Sequence, residues 1–291
     1  MPKLSYPPFL GSDVPPSAPG KALFHVIPAP YEKSVSYGHG TALGPSAILE
    51  ASQQLETFDG ISVPADKGIY THPALTCAGR HEKAIGEIAK AVGKSLKLGK
   101  MPVVLGGEHT VTNGCVEALK EYSPGFGLVQ FDAHADLRDE YEGSPWSHAC
   151  VMRRAFEASI PIFQIGIRSL SVPEHRLRIE KKIPTLDASS IAASGIPAKL
   201  LPKNFPKKIF VTIDVDALDS SIMPSTGTPE PGGLSWQQMM TALQKVLDGR
   251  EILGFDVVEL APVKGFHAPD FATARLIYNF MGMISRHRVR R

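Results

Sequence analysis

The sequence predicts an α/β fold in which a parallel sheet is covered by helices on both faces. Short runs rich in Val, Ile and Phe, which are typical of buried strands, alternate along the chain with longer amphipathic segments. Strands that alternate with helices in this way form parallel sheets, because each crossover connection packs a helix against a face of the sheet. Functional sites in such sheets form at the carboxyl ends of the strands.

The individual elements follow from local pattern. The predicted strands are residues 23–27, 102–105, 127–131, 162–165, 209–213 and 252–258. The predicted helices are residues 44–55, 81–98, 110–121, 235–247 and 271–284. Pro45 stands at a first-turn position of the first helix, where its missing N–H costs nothing. Ile85, Ile88 and Val92 recur at helical spacing in the second.

The chain divides into a short arm and one domain. Residues 1–21 are rich in Pro, Ser and Gly, which predicts an irregular N-terminal arm. Residues 22–291 contain no linker, repeat or low-complexity tract, so they are expected to form a single domain.

Composition excludes several classes of protein. The 291 residues include 31 Lys and Arg against 29 Asp and Glu, and this near-neutral balance gives no support for a nucleic-acid partner. No run of 18 apolar residues exists, so no membrane span is expected, and the arm lacks the apolar stretch of a signal peptide. The three cysteines form no Cys-x-x-Cys pair, which excludes a zinc ribbon and a disulfide framework. We therefore expect a cytoplasmic protein.

Polar clusters follow four of the predicted strands. In chain order they are Gly106-Gly107-Glu108-His109, Asp132-Ala133-His134-Ala135-Asp136, Asp214-Val215-Asp216, and Glu259. Alternate residues of an extended segment point to one side, so Asp132, His134 and Asp136 converge. The Asp-x-Asp and Gly-Gly-x-His motifs alone are more often a turn or a cap, and the triplet of residues 132–136 alone favours neither interpretation. Together, at the strand ends of one parallel sheet, they indicate a cation site, because buried carboxylates are costly without one.

The ligand types favour a particular metal. Four carboxylates and two imidazoles, with no thiolate, favour Mn²⁺ over a structural zinc, although Zn, Co, Ni or Fe could bind. Six side chains, of which four are carboxylates able to bridge, suit two ions better than one. Two ions about 3.5–4 Å apart generate a hydroxide nucleophile and stabilise developing charge, so the sequence predicts a binuclear metal hydrolase.

These motifs resemble those of the arginase/agmatinase (ureohydrolase) family over nearly the whole chain from Ala22 onward. The matching stretches are residues 106–109, 132–136 and 212–219, with softer matches at 36–41, 44–45 and 227–233. The resemblance implies a three-layer α/β/α fold with a mostly parallel eight-stranded sheet. It also implies a homo-oligomer, a trimer or a hexamer.

The resemblance implies a role for each site residue. One Mn²⁺ would be held by His109, Asp132, Asp136 and Asp214, and the other by Asp132, His134, Asp214 and Asp216. Asp136 would also orient the nucleophile, His148 would shuttle a proton, and Glu259 would receive the guanidinium group. Without the resemblance, His148 would be a solvated loop histidine and Glu259 a helix cap. Glu108 matches no ligand of the family.

Residues 137–141, 147–149 and 152–154 are similar to the agmatinase branch, and Arg138 stands where arginases carry an Asn. The expected reaction is hydrolysis of agmatine to urea and putrescine, a step of polyamine biosynthesis, with no organic cofactor. Guanidinobutyrate, guanidinopropionate, arginine or a formimino compound could replace agmatine as the substrate, and Arg138 or Arg168 could meet a carboxylate tail. Two rival functions stay open, a mononuclear zinc deacylase and a non-enzymatic protein that retains the fold.

Overall fold

The computed structural model describes residues 6–289, which contain one sheet of eight strands. Numbered in chain order, the strands are β1 (Phe24–Ala29), β2 (Ile69–Thr71), β3 (Met101–Gly106), β4 (Gly127–Phe131), β5 (Ile162–Ile165), β6 (Thr185–Leu186), β7 (Lys208–Asp214) and β8 (Glu251–Val258). Their spatial order is β2-β1-β3-β8-β7-β4-β5-β6. Every pair of neighbouring strands runs parallel, which confirms the predicted sheet.

The sequence does not predict the two edge strands. β2 has three residues and β6 has two, and neither forms an apolar run long enough to stand out. They become strands because they continue the ladders of longer neighbours: Phe24 of β1 pairs with Ile69, and Ile165 of β5 pairs with Leu186. Edge strands are often short, since a short edge offers few unpaired backbone groups to another chain.

Eight α-helices accompany the strands in the described residues. They are α1 (Gly44–Ser52), α2 (His81–Lys97), α3 (Val111–Tyr122), α4 (Val151–Glu157), α5 (Val172–Glu180), α6 (Ala188–Ser194), α7 (Trp236–Val246) and α8 (Ala268–Val289). The sequence does not predict α4, α5 or α6. Two of them have only seven residues, and α5 leaves Val172 and Ile179 exposed, so its apolar periodicity is weak.

Helix α8 is longer than the predicted 271–284. Its last turns carry Arg286, His287 and Arg288 instead of apolar residues, so apolar periodicity stops before the helix does. Even this 22-residue helix lacks the sustained apolar character of a membrane span, and no other helix within residues 6–289 has it.

The helices form a layer on each face of the sheet. Helices α1, α7 and α8 pack on one face, where Leu243 of α7 is buried, and α2, α3 and α4 pack on the other, where Ile88 of α2 is buried. Successive strand residues alternate between the two cores: Val103 belongs to the first and Val104 to the second. The sheet is therefore buried on both sides, and the predicted three-layer α/β/α architecture is confirmed.

The described part of the N-terminal arm packs against the rest of the chain. Phe9 and Leu10 are buried. The Phe9 N–H donates to Thr71 Oγ1 at 2.9 Å, and the Leu10 N–H donates to Ser52 Oγ at 3.1 Å. The division into an arm of residues 1–21 and a domain of residues 22–291 stays a prediction, and residues 1–5 lie outside the described part.

The sheet order determines where the polar clusters meet. Strands β3, β8, β7 and β4 are consecutive at the centre of the sheet and run in the same direction. Their carboxyl ends therefore lie side by side, and each of these four strands is followed by one of the polar clusters. The fold brings together residues that are up to 150 positions apart, such as His109 and Glu259.

Candidate metal centre

A close backbone approach shapes the end of β3. A Cβ atom at Gly107 would lie 2.0 Å from the carbonyl oxygen of Tyr31, so no other residue fits there without a backbone shift. The Glu108 N–H donates to the same Tyr31 oxygen at 2.8 Å, and the Glu259 N–H donates to Gly107 O at 2.8 Å. The glycine thus lets the segments after β1, β3 and β8 bond to one another and delivers the next residue, His109, to the carboxyl edge.

His109 faces three carboxylates. Its Nδ1 atom lies 2.9 Å from Asp136 Oδ2, 3.2 Å from Asp132 Oδ2 and 3.7 Å from Asp214 Oδ2. Its Nε2 atom lies 2.8 Å from the hydroxyl of Thr212, which orients the ring. His109 is 1% exposed, yet its Nδ1 atom makes no well-formed hydrogen bond to any described residue. A metal-binding site explains this arrangement, because a cation placed among these groups would be bound by the imidazole nitrogen and by the carboxylates together.

His134 makes a second set of contacts beside the first. Its Nδ1 atom lies 2.9 Å from Asp216 Oδ2 and 3.7 Å from Asp132 Oδ1. Asp132 therefore lies between the two imidazoles, with one oxygen toward His109 and the other toward His134.

The structure forms two overlapping groups of possible ligands. One contains His109, Asp132 and Asp214, and the other contains Asp132, His134 and Asp216; within each group the ligand atoms lie within 4.8 Å of one another. Asp136 joins the first group through its contact with His109. All six residues predicted as ligands are therefore brought together, and Asp132 is common to both groups.

The acid–base properties of the metal-free chain indicate missing positive charge. Burial, followed by the charge of Asp132, raises the pKa of Asp136 to about 7. Burial and the charges of Asp216 and Asp132 likewise raise the pKa of Asp214 well above its usual range. Burial opposes a charge on His134, but hydrogen bonds to Asp132 and Asp216 raise its pKa to about 12. Protons thus neutralise the cluster in the absence of metal, and the donor set fits two divalent cations.

Neighbouring groups hold the carboxylates in place. Gln130 Nε2 donates to Asp132 Oδ2 at 2.8 Å, and Gln164 Nε2 donates to Gln130 Oε1 at 2.6 Å. The Ala133 N–H donates to Asp216 Oδ1 at 2.9 Å. Sequence reasoning missed both glutamines, because they sit inside apolar strands and only the paired strands bring them together.

Glu259 lies beside the metal centre, at the end of β8. Its Oε1 atom accepts a hydrogen bond of 2.6 Å from the His109 N–H. Burial raises the pKa of Glu259 well above its usual range, with the charge of Glu108 as the next cause. Glu259 and Asp136 both have left-handed backbone, with φ of 67° and 51°, although neither is glycine. Such conformations cost about 1–3 kcal/mol each and concentrate at functional sites.

His148 lines the same cavity as the metal centre. It begins a short 3₁₀ turn, His148–Cys150, that leads into α4. Burial lowers the pKa of its imidazole, which favours the neutral form, although the charge of Glu108 opposes this. Its ring meets that of Tyr141 edge-on, with the centroids 5.8 Å apart.

Glu108 is a buried acid next to His109 that is not among the ligand groups. Its Oε2 atom accepts hydrogen bonds from the Lys33 N–H at 2.5 Å and the Ser34 N–H at 2.6 Å. Its Oε1 atom accepts from the hydroxyls of Ser34 and Thr110, both at 2.7 Å. Glu108 therefore anchors the loop after β1 to the end of β3, and sequence reasoning had no signal for this contact.

The metal centre opens into a cavity of about 360 Å³. Its other wall contains Arg138, Tyr141, Glu174 and Glu230. Arg138 is exposed, with its guanidinium 5.0 Å from the centre of the Tyr141 ring. This wall, which we call the mouth, is built from loops and the first turn of α5.

Arg168 is engaged by the protein itself. Its Nη2 atom donates to the carbonyl oxygens of Asp216 at 2.7 Å and Glu230 at 2.8 Å, and its Nε atom donates to that of Pro231 at 3.1 Å. It thus ties the loop of the second ligand group to the mouth. Of the two arginines considered for a carboxylate tail, only Arg138 lines the cavity.

The chain is similar to known proteins over most of its length. A model described as "Arginase family" matches residues 22–283. N(1)-aminopropylagmatine ureohydrolase of Synechocystis is 40% identical over 88% of this chain and 87% of that protein. Agmatinase of Pyrococcus horikoshii is 31% identical over 90% of this chain and 92% of that protein. The crystal structure of agmatine ureohydrolase of Thermoplasma volcanium superposes with a TM-score of 0.87 at 27% identity, covering 99% of this chain and 97% of that one.

Proposed function

The chain belongs to the arginase family and is a ureohydrolase, and we propose that it releases urea from an agmatine-type amine, with N(1)-aminopropylagmatine preferred over agmatine. The observation that carries the proposed urea release is the pair of overlapping His and Asp groups at the strand ends. The preference between the two amines rests on the relatives. Agmatine, the substrate expected from the sequence, is the second candidate, because relatives named agmatinase match at 31–32% identity against 34–40% for those named N(1)-aminopropylagmatine ureohydrolase.

We infer that the metals are two Mn²⁺ ions. His109, Asp132, Asp136 and Asp214 would hold one, and Asp132, His134, Asp214 and Asp216 the other. The oxygen-rich donor set supports Mn²⁺ over zinc. When bound, the ions would supply an activated water and stabilise negative charge as it develops.

The protein side chains divide the remaining work. Glu259 would hold the guanidinium by charge-assisted hydrogen bonds and so fix the carbon that is attacked. Asp136 would accept a hydrogen bond from the attacking water and orient it. His148 would deliver the proton that the leaving amine needs, because imidazole exchanges protons near neutral pH.

The charges at the mouth support a cationic tail on the substrate. Glu230 is half-buried and lines the cavity. Glu174 is buried, and its oxygens accept hydrogen bonds from the N–H groups of Leu137 and Ser171. Two carboxylates against the single guanidinium of Arg138 suit the ammonium groups of an amine better than the carboxylate of a guanidino acid.

A substrate panel tests the proposal. Urea release by the Mn²⁺-loaded enzyme is measured with N(1)-aminopropylagmatine, agmatine, guanidinobutyrate, guanidinopropionate, arginine and a formimino compound. We expect the largest kcat/KM for N(1)-aminopropylagmatine and the next for agmatine. A larger kcat/KM for any guanidino acid would contradict the assignment of an amine substrate. It would then favour Arg138 as the residue that binds the carboxylate tail.

The assembly is a separate proposal. We infer a homotrimer or homohexamer from the family resemblance, and exposed apolar side chains such as Leu43, Val263 and Phe266 support burial against another copy. Light scattering coupled to size exclusion measures the molar mass. A monomeric mass at micromolar concentration would contradict the inference.

A further inference from the structure

Glu108 has no role in the proposed reaction, although burying a carboxylate beside the metal centre costs free energy. Glu108 is fully buried and precedes His109 in the chain. A buried carboxylate needs several hydrogen bonds to compensate its lost hydration, and Glu108 accepts four, of which two come from the single residue Ser34. The contact spans 74 residues of sequence, so it links two parts of the site that local structure would not bring together.

Ser34 connects Glu108 to His148. The Ser34 hydroxyl donates its one proton to Glu108 Oε1 at 2.7 Å. The Ser34 Oγ atom also accepts a hydrogen bond from the backbone N–H of His148 at 3.0 Å, and it lies 3.3 Å from His148 Nδ1. Because a hydroxyl has only one proton, this oxygen can only accept from His148. A hydrogen bond with Nδ1 therefore requires the imidazole proton to be on Nδ1. Nε2 is then unprotonated, so it can take up a proton from water and pass it to the leaving amine.

We propose that Glu108, acting through the Ser34 hydroxyl, positions His148 and keeps its neutral imidazole protonated at Nδ1. Glu108 and Ser34 are positioning residues, since neither meets the reacting atoms in the proposed reaction. The inference rests on the proposed function, in which His148 delivers the proton to the leaving amine. It also explains why Glu108 is buried at this position. The carboxylate accepts the only proton of the Ser34 hydroxyl, so the hydrogen bond between Ser34 and His148 must run from the imidazole to the hydroxyl oxygen.

Ser34→Ala is the most direct test. It removes the oxygen that contacts His148 but leaves the backbone N–H groups of residues 33 and 34 bonded to Glu108, so the loop stays anchored. We expect kcat for urea release to fall about 10- to 100-fold with little change in KM, the scale of a misplaced catalytic group. Ser34→Thr restores the hydroxyl and should recover most of kcat. Full metal content and an unchanged Tm in both variants are required for this comparison.

Ser147→Ala is the matched control. Its hydroxyl also lies 3.3 Å from His148 Nδ1 but makes no contact with Glu108. We expect this variant to keep kcat within about twofold of the wild type, because the Ser34 contact remains. A loss in Ser147→Ala equal to that in Ser34→Ala, or an unchanged kcat in Ser34→Ala, would overturn the proposal.

A double-mutant cycle separates positioning of His148 from a general effect on the loop. If Ser34 acts through His148, adding Ser34→Ala to His148→Ala causes no further loss of kcat. A further loss of about tenfold in the double variant would assign Ser34 another role and overturn the proposal. If His148→Ala alone keeps the wild-type rate, proton delivery by His148 is contradicted. A further loss in the double variant contradicts only the positioning role of Ser34, so the two results are distinguishable.

Nuclear magnetic resonance gives a readout that is independent of activity. The ring nitrogens of His148 are observed by ¹⁵N NMR in the metal-free and Mg²⁺-loaded protein and assigned by their loss in His148→Ala. We expect a protonated Nδ1 and an unprotonated Nε2 in the wild type, and a mixture of the two neutral forms in Ser34→Ala. Protonation at Nε2 in the wild type would contradict the direction of the hydrogen bonds.

Discussion

The two walls of the active-site cavity are built in different ways. The metal centre comes from the ends of central strands, and its carboxylates are buried. Three of them, Asp132, Asp214 and Asp216, are held by backbone N–H groups or by Gln130. The mouth comes from loops, and it contains the exposed Arg138 and the half-buried Glu230. If the proposed function holds, the sheet fixes the side chains that act on the guanidinium end of the substrate. Selection of the tail then depends on loop side chains that can change at little cost to the fold.

The largest expected effect is at the metal centre. Asp214→Ala removes a carboxylate proposed to serve both ions, so urea release should fall below detection and metal content should drop. His134→Ala should do the same. Metal analysis by mass spectrometry is the measurement, and Asp248→Ala, whose carboxyl is 59% exposed on the surface, is the control. Two ions per chain in Asp214→Ala would contradict the ligand assignment.

The next effect is on proton delivery. His148→Ala should retain both ions, because His148 is outside the ligand groups, but should lose about 100-fold in kcat. Steady-state kinetics and metal analysis on the same sample separate the two properties. An unchanged kcat at neutral pH would mean that another group supplies the proton.

A smaller effect is expected at the mouth. Glu230→Gln keeps the size of the side chain but removes its charge, so kcat/KM for N(1)-aminopropylagmatine should fall about two- to fivefold, as for a partly exposed ion pair. The loss for agmatine, which has one ammonium group fewer, should be smaller. Glu140→Gln changes an exposed carboxyl outside the cavity and should affect neither substrate. Equal losses of kcat/KM for both substrates would show that Glu230 does not distinguish their tails.

The smallest effect compares two helix caps. Ser171 and Ser235 both form capping boxes, at α5 and α7, but only Ser171 lines the cavity. Either change to Ala should cost about 1 kcal/mol of unfolding free energy, or about 2 °C in Tm. Only Ser171→Ala should also raise KM, because Glu174 loses a hydroxyl partner at 2.6 Å. An identical KM in the two variants would show that α5 does not shape the mouth.

The sequence predicts which side chains meet at the strand ends, because their arrangement follows local rules. Asp132, His134 and Asp136 alternate directly after an apolar strand, and a parallel sheet must place such strand ends on one edge. No local sequence pattern identifies Ser34 or Gln164, because their contacts with Glu108 and Gln130 form only in the folded protein.

The misses at the level of the fold have a similar cause. Strands β2 and β6 exist through pairing with longer neighbours rather than through apolar runs of their own. The two arginines illustrate the same limit at the site. Arg168 and Arg138 are equal candidates in the sequence, but in the structure Arg168 donates to backbone carbonyl oxygens, whereas Arg138 lines the cavity.

The left-handed backbone at Asp136 and Glu259 has a consequence for how this protein changes over generations. Glycine would relieve the backbone strain at either position, at the cost of the carboxyl group that the proposed reaction uses. Selection for stability and selection for catalysis therefore act in opposite directions at these two positions. A descendant no longer under selection for this reaction would therefore be expected to lose these two carboxyl groups early.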